Sequence, residues 1–128
     1  MKIMIEISPG ELVDRLSILE IKLSKIVDET KLKNIRHEHA LLLPAQVELY
    51  SRRTEIADLA ARLRAINEKI WSIEDDIREH ERVRDFGDRF VALARSVYQT
   101  NDQRAALKRQ INELLQSAIV EEKSYAAY

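Results

Sequence analysis

From Leu49 to Val83 the apolar positions recur every seven residues: Leu49, Ile56, Leu59, Leu63, Ile66, Ile70, Ile73 and Ile77, interrupted only by Arg52. Spacing that alternates between three and four is the seam of a helix packed along its length, as in a coiled coil. The pattern predicts one long central helix over about residues 45–85. At 1.5 Å per residue the periodic stretch would be a rod of about 50 Å, well beyond the usual globular helix.

The flanking pattern predicts shorter elements. Residues 2–7 alternate, with Ile3, Ile5 and Ile7 on one side and Lys2, Met4 and Glu6 on the other, as in a half-buried strand. Ser8, Pro9 and Glu11 then supply an N-cap, a first-turn proline and a capping-box carboxylate for a first helix. That helix carries Leu12, Leu16, Leu19, Leu23 and Ile26, ending at about Val27. Thr30 is the expected cap of a second helix bearing Leu32, Ile35 and Leu42, with a bend in one continuous helix as the alternative. Pro44 disfavours helix at Leu43, so the chain is expected to reverse there into the long helix. Gly87 is expected to supply the left-handed residue that closes the long helix near Asp85. Phe90, Ala94, Val97 and Tyr98 mark a fourth helix. Thr100 or Asn101 would cap a fifth, with Leu107, Ile111, Leu114 and Leu115.

These lengths match: the first two helices sum to roughly 48 Å and the last two to roughly 42 Å, each comparable with the rod. The expected fold is therefore all-α, one domain over residues 1–128, an elongated helical bundle with broken helices on either side of the long one, plus a short N-terminal strand. The end of the long helix should return beside the start of the first. With 34% charged residues, 5% aromatics and two each of Gly and Pro, composition agrees with a helical protein. There is no internal repeat and no flexible linker.

Charge and cysteine usage remove several function classes. The 21 basic and 22 acidic residues nearly cancel, without the positive field that non-specific nucleic-acid binding uses. No cysteine is present, so disulfides, thiolate catalysis and thiolate-bound zinc are excluded. The opening MKIMIEIS is too short and too early interrupted by Glu6 for a signal-peptide core, and no apolar run approaches the roughly 20 residues of a membrane span. A cytoplasmic protein is expected, with no nucleic-acid or membrane partner.

The segments ISPGELVDRLSILEIKL, IWSIEDDIR, FGDRFVALARSVYQTNDQRAALKRQIN and EEKSY together cover nearly the whole chain. Read together, they resemble a small bacterial family catalogued as domain of unknown function 6165. The resemblance implies a stand-alone bacterial domain and transfers no activity and no site residue.

Candidate chemistry lies on packed faces. Beside the apolar seam runs a second stripe, Ala60, Asn67, Trp71, Glu74 and Arg78, which the bundle is expected to cover; its polar members then need partners. The antiparallel return would bring Glu74, Asp75, Asp76 and Glu79 near Glu11 and Asp14 of the first helix. Carboxylates on facing helices can hold magnesium against a phosphate chain. Arg15, Arg78 and Arg89 lie at the same end, and Glu11 to Arg15 and Glu74 to Arg78 are ordinary i to i+4 partners. An ion-pair network that sets bundle register, with Arg78 bound to a first-helix carboxylate and Arg15, Asn67 and Trp71 as further members, is preferred.

Other polar features point to no chemistry. His37 and His39 lack the i, i+4 spacing of helical zinc ligands, and His80 stands alone. Gly10 and Gly87 are isolated, so there is no phosphate loop, and Lys31, Lys33 and Arg36 form a modest basic patch. Asn101, Asp102 and Arg104 at an expected helix start could meet an anion, although capping explains Asn101 equally well. Tyr125 and Tyr128 with Glu121, Glu122 and Lys123 suggest a docking tail or a frayed end.

The preferred function is a non-catalytic module acting by self-association, with a homodimer favoured among oligomers, and by binding a protein partner. The alternative is a magnesium-dependent phosphate-handling hydrolase built on the acidic cluster; no other cofactor is expected. RNA binding ranks third, since no basic stripe is interleaved with aromatics.

Overall fold

A computed structural model describes residues 1–128, and it is all-α. Four helices follow in order: α1, Pro9–Lys25; α2, Glu29–Arg52; α3, Glu55–Val83; and α4, Asp88–Leu114. The start of α1 is as expected, since Ser8 is extended and its hydroxyl accepts from the Glu11 amide at 3.1 Å. The Glu11 carboxylate, however, turns to Lys108 at 2.7 Å instead of closing the capping box. Asp28, not Thr30, caps α2, accepting from the Lys31 amide at 3.0 Å.

There is no single long central helix. The chain reverses at Arg53 and Thr54, where Arg53 is extended, and Pro44 lies inside α2. Arg52, the interruption in the seven-residue repeat, is the last residue of α2. A proline within a helix frees the carbonyl four residues earlier, here that of Ala40. Ala40, Pro44 and Ala45 are all exposed, so water can satisfy that carbonyl and the helix continues. Only Ile35 and Gln46 of α2 are buried.

Gly87 does not end α3. Arg84 takes the left-handed position (φ 58°), while Gly87 has a negative φ and precedes the first turn of α4. The expected fourth and fifth helices are one, and Thr100 and Asn101 lie within it. Thr100 is buried on the same stripe as Leu93 and Leu107, so packing carries the helix through a residue that reads locally as a cap.

Residues 2–7 form no strand. They are irregular, and none of their backbone groups hydrogen-bonds within the chain, so the alternation of isoleucines has no sheet to join.

The core joins Val13 of α1, Ile56, Leu59, Ala60 and Leu63 of α3, and Leu107 and Ile111 of α4. Burial of each larger aliphatic side chain contributes about 1.5–3 kcal/mol. Helices α3 and α4 make the most extensive contact as a hairpin, and α1 lies across both. Two reversals, not one, separate α1 from α3. The start of α3 therefore lies in the same core cluster as the start of α1, and the end of α3 does not return there. No helix is long and apolar enough to cross a membrane.

If α2 is continuous through Pro44, Pro44→Ala restores a backbone hydrogen bond and should stabilise the protein by about 1–3 kcal/mol. Thermal unfolding reads this as a raised melting temperature; a lowered one would place a functional break at the proline.

Candidate functional site

Asp14 stands on the face of α1 that meets both α3 and α4, and it is only 1% exposed. Its carboxylate accepts from Asn67 Nδ2 at 2.9 Å and from Arg104 Nε at 2.9 Å, with a second bond from Arg104 Nη2 to the other oxygen. Asn67 Nδ2 also donates to Ser17 Oγ at 2.7 Å, and that hydroxyl donates to the Asp14 carbonyl at 2.7 Å. A charge removed from water thus meets a forked guanidinium and an amide, and the Ser17 hydroxyl holds that amide in place. The Asp14 hydrogen bond and charge push Arg104 above its ordinary pKa despite the opposing cost of partial burial.

One turn towards the start of α1 the contact with α4 becomes closer. The Gly10 amide, which has no partner inside its own helix, donates to Asn112 Oδ1 at 2.7 Å. A Cβ at Gly10 would stand 2.5 Å from the Lys108 carbonyl oxygen, so glycine is required by the approach of two backbones, not by its own dihedral angles. Lys108 Nζ reaches Glu11 at 2.7 Å and Glu121 at 3.6 Å. Glu121 also accepts from the Ser8 hydroxyl. The segment after α4 is thereby tied to the cap of α1.

That C-terminal segment lies over α4, with the Tyr128 hydroxyl on Asp102 and its ring edge-on to Tyr98 at 5.3 Å. Beneath it is a groove of about 490 Å³ whose lining includes Arg104, Lys108, Arg109 and Lys123. Three of these cations have carboxylate partners: Arg104 with Asp14, Lys108 with Glu11 and Glu121, and Arg109 with Glu113 at 3.1 Å and Glu122 at 3.5 Å. The groove is a set of ion pairs more than an open anion site.

The six expected carboxylates do not converge. Asp14 and Glu11 bind α4 as described, whereas Asp75, Asp76 and Glu79 are exposed on α3, and Glu79 pairs with Arg82 at 2.6 Å. Glu74 is half-buried, 3.8 Å from Arg78. No group of three or more His, Cys, Asp or Glu side chains is placed to hold a metal ion. The physical reason is the second reversal, which carries the end of α3 away from the start of α1.

The expected polar network divides. Asn67 is buried at its centre, and Trp71 is half-buried one turn further along. Arg15 stays 3.8 Å from Glu11 at the surface. Arg78 is 79% exposed with Glu74 as its only ion-pair partner, so its expected bond to a first-helix carboxylate is not formed. The residue that does reach that carboxylate is Arg104, read in sequence as part of a helix-start cluster. Ser17, Lys108 and Asn112 carried no sequence signal beyond being polar residues near apolar stripes.

A second polar cluster joins three helices through Glu20, with Arg64 Nη1 at 3.2 Å and His39 Nε2 at 3.9 Å. The His39 nitrogen is buried without a hydrogen-bond partner. Tyr50 is pushed above its ordinary pKa, first by burial and then by the charge of Glu20. His37 is exposed, and His80 Nδ1 stands 3.1 Å from the Asp85 carbonyl at the hairpin turn.

A family model described as a family of unknown function, DUF6165, matches residues 1–128. The chain belongs to that family. No curated protein and no solved structure matches it. Membership in DUF6165 brings no activity with it, so the chemistry of this chain rests on its geometry. That geometry joins helices through paired polar groups, with the Asp14 carboxylate closed on Asn67 and Arg104.

Asn67→Leu should destabilise the protein by about 1–3 kcal/mol, because it withdraws one donor from the buried carboxylate and from Ser17. Urea unfolding measures the loss. Unchanged stability would mean that Arg104 alone satisfies Asp14.

Proposed function

We propose that this DUF6165 chain is a single-domain, non-catalytic helical module that works by self-association, as a dimer, and by presenting the associated surface to a protein partner. One observation carries the reading. Met1, Ile3, Met4 and Ile5 are exposed, with Ile3 at 72% and Ile5 at 74%, and the backbone of residues 1–7 makes no hydrogen bond within the chain. An irregular, apolar segment with unpaired amides and carbonyls is stabilised by a surface that supplies both contacts.

The rest of the molecule supports this use. The segment leaves the bundle at Ser8, which is held by the Glu11 amide and by Glu121, so it projects from a fixed point. Exposed Leu41 and Val47 add apolar surface on α2, as do Val83, Phe86 and Val91 around the hairpin turn. The dispersal of Glu11, Asp14, Glu74, Asp75, Asp76 and Glu79 gives a magnesium-dependent hydrolase no comparable support.

Light scattering at micromolar concentration should give the mass of a dimer for the full chain, and deletion of Met1 to Glu6 should shift it to the monomer with helical circular dichroism retained. A truncated protein of unchanged mass would overturn the role of the segment.

A further inference from the structure

The segment after α4 doubles back along the helix it has just left. Glu121 meets Lys108, Glu122 meets Arg109, and Tyr128 meets both Asp102 and the ring of Tyr98, so the segment runs antiparallel to α4. Tyr98, Asp102, Ala105 and Arg109 are spaced four, three and four apart and form one stripe. At 3.6 residues per turn that stripe lies opposite the buried face of Leu93, Thr100, Leu107 and Ile111. Helix α4 thus uses two faces, an inner one in the core and an outer one under the chain's own tail.

The tail holds this outer face loosely and does not fill it. Between Arg109 and Asp102 the helix advances about 10 Å, whereas the six residues that follow Glu122 reach up to about 20 Å when extended. The segment arches, and the groove of about 490 Å³ remains between it and α4. From Val120 to Tyr128 every residue is exposed and no backbone group hydrogen-bonds within the chain. Tyr128 is 78% exposed even with its ring against Tyr98. The charged contacts of the tail are ion pairs at the surface, which hold weakly against water and salt.

We propose that the face of α4 from Tyr98 to Arg109 is a docking site for an extended segment of another protein, and that the chain's own tail closes it when that segment is absent. The tail displays the chemistry of the partner: adjacent carboxylates for Lys108 and Arg109, then a phenol six residues on that donates to Asp102 and lays its ring on Tyr98. A peptide suits this face better than a polyanion does. Asp102 stands within the stripe, and Lys108 and Arg109 each keep a carboxylate inside the bundle, Glu11 and Glu113, so the local field is close to neutral. A partner segment replaces the contacts of the tail and adds side chains in the space beneath the arch, beside Asn101, Asn112 and Ser117. The docking site deepens the partner binding proposed above and rests on it, whereas self-association through the N-terminal arm is read separately by the mass of the parent.

The probe is the tail sequence itself, a peptide of residues 119–128, IVEEKSYAAY, added to the full chain labelled with nitrogen-15. A short tether gives the attached tail an effective concentration on the order of 1 mM, so the peptide is added at that level and above. Glu122→Lys with Tyr128→Ala opens the strap at two exposed residues without backbone bonds, and the helical circular dichroism of the parent should be retained. The amide signals of Tyr98, Asp102, Ala105 and Arg109 should then move on addition of peptide, several times further in the opened chain than in the parent. Raised salt should reduce the movement, and Arg109→Glu in the opened chain should remove it. Equal movement in parent and opened chain, none in the opened chain, or movement indifferent to Arg109→Glu would each overturn the docking site. So would a parent dimer that falls to a monomer in the opened chain, which would seat the tail of a second copy on this face.

Discussion

The carboxylate of Asp14 is a charge withdrawn from water in the middle of a helical core, and the rest of the bundle is arranged to satisfy it. Leaving such a group unpaired costs several kcal/mol, more than most single packing defects. Its donors come from two other helices, Asn67 of α3 and Arg104 of α4, so the requirement is met in one relative placement of α1, α3 and α4. Apolar side chains around it, such as Val13, Leu63 and Leu107, would tolerate a shift of one helix along another far better than this carboxylate would. The core supplies most of the stabilisation and the polar centre supplies the register.

That register has consequences at the end of the bundle where association is proposed. With Asp14 on Arg104, the first turn of α1 falls against Lys108 and Asn112, where only a glycine at position 10 allows the backbones to meet. Lys108 then lies between Glu11 and Glu121, and Glu121 reaches Ser8. Both terminal segments therefore leave from one anchored point beside one groove.

Much of this was legible in the chain itself. The seam from Ile56 to Ile77 lies within α3, the cap at Ser8 opens α1, and Asn67 stood out as a polar residue on a covered face. Arg104 did not, because Thr100 and Arg104 fall on what is otherwise the apolar repeat of Leu93, Val97, Leu107, Ile111 and Leu114. Two polar residues on a seam look like the gap between two helices until their partner is known, and that partner is 90 residues away. Pro44 misled for the opposite reason. The rule against proline in a helix is local, and it weakens where the freed carbonyl faces water. The reversal was signalled by Arg52 and Thr54, but one broken heptad position carries less weight than a proline. The alternation of Ile3, Ile5 and Ile7 shows an apolar face without showing what covers it.

A double-mutant cycle at Asp14 and Arg104 tests the organising role of this carboxylate most directly. Asp14→Ala, Arg104→Ala and the double variant would be compared by urea unfolding. If the two side chains act as one buried unit, the double variant loses less than the sum of the single losses, with a coupling of about 1–3 kcal/mol. Losses that add within about 0.5 kcal/mol would show that the pair is incidental to how the helices are placed.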